Sequence, residues 1–227
     1  MKKHIIFLFT LISMIGTNVW ALEQKDGVYQ IGTVEDLVAF AELVNGGEHN
    51  ANAVLTADID MGGVDWNPIA AGSCYYAAAG PANVTNPGFS GVFDGQGHVI
   101  SNFTIKALGE ATGLFGVVTG SIKNLGVVNA TFNSTTTYRA GAIAGSVTAT
   151  EESTGRVENC YVVNSKISSI GNVCGTIAGA VYGGTIQNCH ATNNRLNGLV
   201  TVLVVLPAIR EATVAGWEWL RTVTPIM

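Results

Sequence analysis

The sequence predicts an all-β chain, a right-handed parallel β-helix with one N-terminal capping α-helix. Two recurring words and the composition between them carry that expectation. The first word is apolar-x-Asn: Ile100-Ser101-Asn102, Ile122-Lys123-Asn124, Val157-Glu158-Asn159 and Ile186-Gln187-Asn188. The second is built on glycine: Thr112-Gly113-Leu114-Phe115-Gly116, Ala140-Gly141-Ala142-Ile143-Ala144 and Cys174-Gly175-Thr176-Ile177-Ala178. The asparagines follow one another at 22, 35 and 29 residues and the glycines of the second word at 28 and 34. Periods of this size mark a solenoid, propeller or array. The words are short, β-branched and flanked by glycine, with no long helical run between them, which favours stacked strands over a helical repeat. Four-stranded propeller blades usually need ~40 residues, more than the shortest spacing, so the 22-residue step is assigned to one coil.

In such a stack each apolar residue lies over its counterpart on the coil below. Ile100, Ile122, Val157 and Ile186 are therefore expected to form one internal ladder, with Phe115, Ile143 and Ile177 serving the second word. Asn102, Asn124, Asn159 and Asn188 are assigned to turns, where asparagine tolerates left-handed backbone. Gly113, Gly141 and Gly175 are assigned to sharp bends or close approaches. The β-helix is expected to run from about Val54 to Leu196.

The run from Phe89 to Leu196, in particular Gly-x-Phe-Asp-Gly followed by Gly-Leu-Phe-Gly and Ile-Lys-Asn-Leu-Gly-Val, resembles the GLUG-motif repeat of exported bacterial surface proteins. Such repeats also accompany immunoglobulin-specific metallopeptidase domains. The resemblance implies a β-helical, non-catalytic module at the cell surface, adhesin-like or scaffolding, with no ligand or active-site residue attached. The preceding segment, Trp66-Asn67-Pro68-Ile69 leading to Phe93-Asp94-Gly95, is similar to the module that opens such proteins.

Taken in order, the chain begins with a secretory signal at 1–21: Lys2 and Lys3, an apolar core from Ile5 to Ile15, then Val19-Trp20-Ala21. That core is too short to span a membrane. The formal net charge is −5, and without Lys2 and Lys3 nine bases face 16 acids. That balance disfavours nucleic acid and anionic lipid as partners. Residues 22–88 form an N-terminal capping module. Within it Thr33 to Val44 reads as a helix, with a capping-box start at Thr33 and Asp36 and a stop at Gly46-Gly47. Leu37, Phe40, Ala41 and Val44 mark its apolar face, suited to covering the open end of the first coil. Val54 to Asp60 reads as the first strand and residues 72–88 as a long loop. The repeats occupy residues 89–198.

Residues 199–227 depart from this grammar, with two tryptophans, an apolar run and Pro207. Their codons permit the repeat words to return in a frame shifted by two bases. Trp219 onward then reads Ala-Lys-Asn-Cys-Tyr, and Leu203 onward reads Gly-Gly-Ile-Ala-Gly-Tyr. An out-of-frame tail is the expectation, and the coding DNA decides it: codons that do not yield those words end the idea.

Candidate chemistry is sparse. Asp58, Asp60, Asp65 and Asp94 are the acids that a Ca²⁺ site or a polysaccharide-cleaving pair would use. The competing assignment makes them turn caps bonded to backbone donors. His98, in the Gly95-Gln96-Gly97-His98 turn, is assigned to backbone bonding, and His49 and His190 stand apart. No His-Glu-x-x-His motif is present. Cys74, Cys160, Cys174 and Cys189 make an even count in an exported chain. Cys160 and Cys189, however, occupy the place of Leu125 in the first word, so they are expected as buried thiols. Sequons at Asn83, Asn102, Asn129 and Asn133 are assigned to turns and outward strand positions. Tyr75, Tyr76 and Tyr138 are candidate sugar-stacking residues on loops.

The resulting expectation is an exported, non-enzymatic module without cofactor or metal. Its partner would be a glycan or a host or surface protein, outside the cell or at its surface, or in the periplasm. The alternatives are a polysaccharide-active enzyme using Asp58, Asp60 and Asp94, or a truncated accessory segment of a larger surface protein.

Overall fold

The computed structural model describes residues 22–72, 74–75, 83–84, 87–105, 110–134, 139–169 and 173–198. Residues 1–21, read above as a secretory signal, lie outside them, as do Tyr76, Tyr138, the tail 199–227 and the side chains of Cys74 and Tyr75.

The described chain is all-β apart from one helix, and its strands lie in parallel sheets. Three central passes, 92–118, 121–148 and 156–182, each lay down five strands, the flanking passes show fewer among the described residues, and each strand pairs with the equivalent strand of the neighbouring pass. The first face stacks Val28–Ile31, Asn52–Leu55, Val92–Asp94, Ser121–Lys123, Arg156–Glu158 and Thr185–Gln187. The second stacks Ile59–Asp60, Val99–Ser101, Gly126–Val128, Tyr161–Val163 and His190–Thr192. The third stacks Asp65–Trp66, Thr104–Ile105, Thr131–Ser134, Lys166–Ser169 and Arg195–Gly198. The fourth holds Ala111–Thr112, Arg139–Ala140 and Val173–Cys174, and the fifth Phe115–Val118, Ala144–Thr148 and Ala178–Tyr182. Among the described residues antiparallel strands pair at Gln24–Lys25 with Val28–Ile31 and at Cys74–Tyr75 with Asn83–Val84, and isolated antiparallel bridges join Gly72 to Ala111, Thr148 to Gly183 and Ala149 to Thr154.

Alternation along the three-residue strands of the first face sends the middle residue inward and its neighbours out. Ile122 is buried between Phe93 of the pass before and Val157 of the pass after, and Ile186 continues the row. Ile100 does not belong to it. Its partners are Ile59 and Val127, and its row runs on to Val162 and Ala191. The expected single ladder is therefore two, on adjacent faces.

The same correction removes the 22-residue coil. Asn124 bonds Asp94 and Asn159, which lie 30 and 35 residues away, whereas Asn102 bonds Asn129, 27 residues away. The apolar-x-Asn word serves two corners per pass, because both need a residue in left-handed conformation. Asn124, Asn159 and Asn188 fill the corner after the first face, at φ 54°, 53° and 51°. Asn102, Asn129, Asn164 and Asn193 fill the corner after the second, at φ 57°, 55°, 54° and 55°. Left-handed backbone costs an ordinary L-residue roughly 1–2 kcal/mol, and asparagine offsets this with local hydrogen bonds.

The stack also begins earlier than Val54. Val28–Ile31 already pairs in parallel with Asn52–Leu55. Between them lies helix α1, Val34–Asn45, one residue offset from the expected span. Thr33 Oγ1 accepts from Asp36 N at 3.1 Å and Asp36 Oδ2 accepts from Thr33 N at 3.0 Å, closing the capping box. Leu37, Phe40, Ala41 and Val44 are buried. Phe40 carries the helix into the interior, with ring centroids 6.2 Å from Phe89 and 6.0 Å from Phe93, and both of those rings meet Phe115. At the helix end Asn45 Nδ2 donates to Pro68 O at 3.1 Å. Trp66 is buried, and its Nε1 donates to Leu114 O at 2.9 Å across the interior.

The glycine word marks the bend between the fourth and fifth faces. A Cβ at Gly113 would stand 2.6 Å from Gly141 O, and one at Gly141 would reach Ala178 Cα at 2.6 Å. Successive passes approach too closely there for any side chain. Phe115 pairs with Ala144, one residue beyond the Ile143 that the word equates with it.

Candidate functional site

Two of the four acids singled out by the sequence, Asp60 and Asp94, occupy the N-terminal ends of the asparagine rows. At the first corner Asp94 Oδ1 accepts from Gln96 N and from Asn124 Nδ2, both at 2.9 Å, and Asn159 Nδ2 donates on to Asn124 Oδ1 at 3.3 Å. At the second corner Asp60 Oδ1 accepts from Gly62 N and from Asn102 Nδ2, both at 2.9 Å, and Asn129 Nδ2 donates to Asn102 Oδ1 at 2.9 Å. Asn102, Asn124, Asn129 and Asn159 each donate toward the N-terminal end, so the first member of each row serves as the acceptor. An ionised aspartate is one.

Asp58 sits one residue before the Ile59–Asp60 strand and serves a different partner. Its Oδ1 accepts from Val99 N at 3.0 Å and meets His98 Nδ1 at 3.0 Å. The 58/60 pair therefore spans a strand end without converging on a shared point, and Asp94 belongs to another corner. Asp65 is exposed, opposite Thr104 on the third face. His98 keeps its expected place in the turn, its N–H on Gly95 O at 2.8 Å, and adds the Asp58 contact that its position did not announce.

Hydrogen bonds hold three of these carboxyls below the usual aspartate range. For Asp58 the Val99 N–H contributes most, then His98. For Asp60 it is the Gly62 N–H, then Asn102. For Asp94 burial pushes upward but is outweighed by Asn124, Gln96 and Lys123, whose Nζ lies 3.3 Å from Oδ2. A carboxyl whose folded pKa is lowered stabilises the fold above its unfolded pKa, and that contribution is lost as pH falls through the folded value. Asp94→Asn is accordingly expected to lower the melting temperature at pH 7 and to change it little at pH 2–3. Equal losses at both pH values would contradict an ionised ladder end.

Among the described residues no group of three or more His, Cys, Asp or Glu is placed to hold a metal ion. No helix among them is long and apolar enough to cross a membrane, which leaves strand-based spanning untouched. Cys160, Cys174 and Cys189 are buried free thiols. Cys160 Sγ donates to Glu158 O at 3.1 Å and Cys189 Sγ to Gln187 O at 3.2 Å. The neighbouring Cys189 sulfur, together with burial, pushes the Cys160 thiol well above its ordinary range, and burial raises Cys174. Thiols at equivalent corner positions of stacked passes have parallel Cα–Cβ directions, which strains a bridge. Intact-mass measurement with and without reductant is expected to show no two-hydrogen shift at the Cys160/Cys189 pair, and a mapped shift there would contradict this.

Two clusters escaped sequence reasoning. Tyr161 and His190 stack with centroids 5.3 Å apart and planes 15° apart, and Tyr161 covers Gly126, whose missing Cβ would stand 2.5 Å from its ring. The signal was present, since both residues follow the cysteine of the first word. In the other cluster Arg139 Nε donates to Tyr182 Oη at 2.7 Å, and Nη1 lies 3.8 Å from Glu110 Oε2. Those residues come from three different passes, and no spacing rule joined them.

No family model matches the chain. Over 147 residues it is 29% identical to Halomucin of Haloquadratum walsbyi, a stretch that covers 61% of this chain and 2% of that protein. The chain thus spans about 2% of the length of the curated relative it matches. Among solved structures it is similar to a Bacteroides ovatus chain provisionally described as an immunoglobulin A1 protease, with 23% identity, a TM-score of 0.47, and coverage of 77% of this chain and 63% of that one.

Proposed function

We propose that this chain is an exported, non-enzymatic repeat module of the GLUG type, adhesin-like, which presents its flanks and loops to a glycan or protein at a bacterial cell surface. Its stack is a right-handed parallel β-helix, since crossover connections between parallel strands of one sheet take that hand in about 98% of cases. The carrying observation is the use made of the acids. Asp60 and Asp94, which a glycosidase would need as acid and base, head the two asparagine rows instead. Bonds from backbone N–H groups and asparagine side chains favour their ionised form, whereas a general acid must hold its proton near neutral pH. The repeat words and the match to Halomucin support the same reading.

A glycan array probed with the secreted chain, run beside a polysaccharide-cleavage assay, tests it. Retention on a defined glycan set without turnover is the expected result. Cleavage abolished by Asp58→Asn, Asp60→Asn or Asp94→Asn would establish the enzyme instead.

A further inference from the structure

The second face of the stack turns an apolar surface to solvent. In its three-residue strands Ile100, Val127 and Val162 are the buried middle residues, so those on either side point outward. Three of the outward places hold valine, at 99, 128 and 163, and each of these is half-buried.

Tyr161 and His190 continue the outward row that begins with Val99 and Gly126. Gly126 leaves a gap in that row, and the Tyr161 side chain lies down into it. A Cβ on Gly126 would meet Cζ at 2.5 Å, Oη at 2.6 Å and Cε2 at 2.9 Å. The phenol is thus laid along the column rather than raised from it, and it stays half-buried. His190 is exposed and stacks on it, with centroids 5.3 Å apart and planes 15° apart. Rings at such a separation are offset, so neither covers the whole face of the other. Among the described residues neither Tyr161 Oη nor the His190 ring nitrogens have a hydrogen-bond partner.

Size and charge decide what such a surface can hold. Asparagine corners in left-handed conformation bound the face on both sides, and it is five strands long. Five strand widths by three residue lengths come to roughly 240 Å². A stable protein interface buries about 800 Å² per partner, so this face alone is too small for a second copy. Its outward positions carry no lysine or arginine, and Asp58 and Asp60 stand at its N-terminal end. In both of those acids the bonds described above fall on Oδ1. Their charge disfavours an acidic ligand, and their Oδ2 atoms are acceptors for hydroxyl donors.

We propose that the second face is a carbohydrate-stacking surface, where Tyr161 and His190 take the apolar face of a neutral, flat oligosaccharide. The proposal rests on the glycan reading above and names its site and ligand class. A β-1,4-linked chain of all-equatorial sugars presents C–H bonds on both faces and hydroxyls along its edges. The C–H face meets the electron-rich faces of the two rings. The edge hydroxyls bond the Tyr161 hydroxyl and the aspartates, groups that both sugar and water satisfy.

NMR titration of the secreted chain with cellotetraose, maltotetraose and tetragalacturonate tests the assignment. Cellotetraose is neutral and flat, maltotetraose neutral and curved, and tetragalacturonate acidic. Cellotetraose is expected to shift the ring protons of Tyr161 and His190 saturably, and the other two to bind at least about tenfold more weakly. Tyr161→Ala and His190→Ala are each expected to lose about tenfold in cellotetraose affinity. Tyr161→Phe keeps the ring and is expected to stay within about threefold of the wild type; a loss as large as that of Tyr161→Ala would contradict stacking. If Tyr161→Ala fails to fold, His190→Ala carries the test, since that side chain is exposed. Undiminished cellotetraose binding in the alanine variants would overturn the site while leaving a glycan-binding module standing. Tighter binding of maltotetraose or tetragalacturonate would overturn the neutral, flat ligand. A wild-type dimer in sedimentation that Tyr161→Ala disperses would give the face to a second copy and overturn the sugar assignment. Binding of none of the three overturns the inference, and the glycan array then decides whether the broader reading falls with it.

Discussion

Ile122→Asp is expected to cost several kcal/mol and to abolish or severely weaken cooperative melting. Ile122 is fully buried, with Phe93 beneath it and Val157 above on the first face. Aspartate there puts a carboxyl into a dry column with no donor aimed at it. The group must either stay charged without a partner or take up a proton, and both are unfavourable on the scale of roughly 2–7 kcal/mol for an unpaired polar group. Whole-domain stability is typically about 5–15 kcal/mol, so one such change consumes much of it. Val92→Asp is the matched control, because Val92 stands on the same face but points outward, 39% exposed. It is expected to stay within about 1 kcal/mol of the wild type. Thermal and urea melts of the two variants compare them directly, and similar losses in both would show that the inward column is wrongly placed.

Gly145→Ala is expected to have the second largest effect, about 3 kcal/mol or more, from a single added methyl group. Gly145 lies on the fifth face where the chain folds back against the fourth. A Cβ there would run into the backbone nitrogen of Thr112 and the carbonyl carbon of Ala111 on the previous pass. Neither can retreat as a flexible side chain does, since both belong to the Ala111–Thr112 strand that pairs with Arg139–Ala140. The passes must separate at that corner or the strand must break. A wild-type melting curve for this variant would mean that the fourth and fifth faces do not close as described.

What the sequence disclosed was mostly what repeats enforce. The helix at Thr33 was legible because capping boxes and apolar faces are local signals, and Thr33, Asp36, Leu37 and Phe40 lie within a few residues of one another. Parallel stacking of Ile122, Val157 and Ile186 was legible because equivalent residues must sit one above another. Ile100 was misassigned for a physical reason. The corner after the first face and the corner after the second impose the same backbone demand, so both select asparagine, and identical words at Asn102 and Asn124 hid different places in the pass. The hairpin-flanked start at Val28 was missed because the helix interrupts its spacing to Asn52. The roles of Asp60 and Asp94 depend on which asparagine stands above each, and that follows from the register once the two rows are separated. Arg139, Glu110 and Tyr182 meet through tertiary geometry alone, and no pattern in the chain brings them together.

The central claim is that equivalent strands of successive passes stack in parallel and in register. It is tested most directly by a spin-label distance between Asn52→Cys and Thr185→Cys, with Cys74 replaced by serine and the buried thiols left in place. On the first face Asn52 is followed by Val92, Ser121, Arg156 and Thr185 in consecutive strands. Four steps of about 4.8 Å separate the two positions by about 19 Å between Cα atoms. A narrow distribution centred within a label length of that value is predicted, and a broad distribution or one centred beyond ~40 Å would contradict the stack.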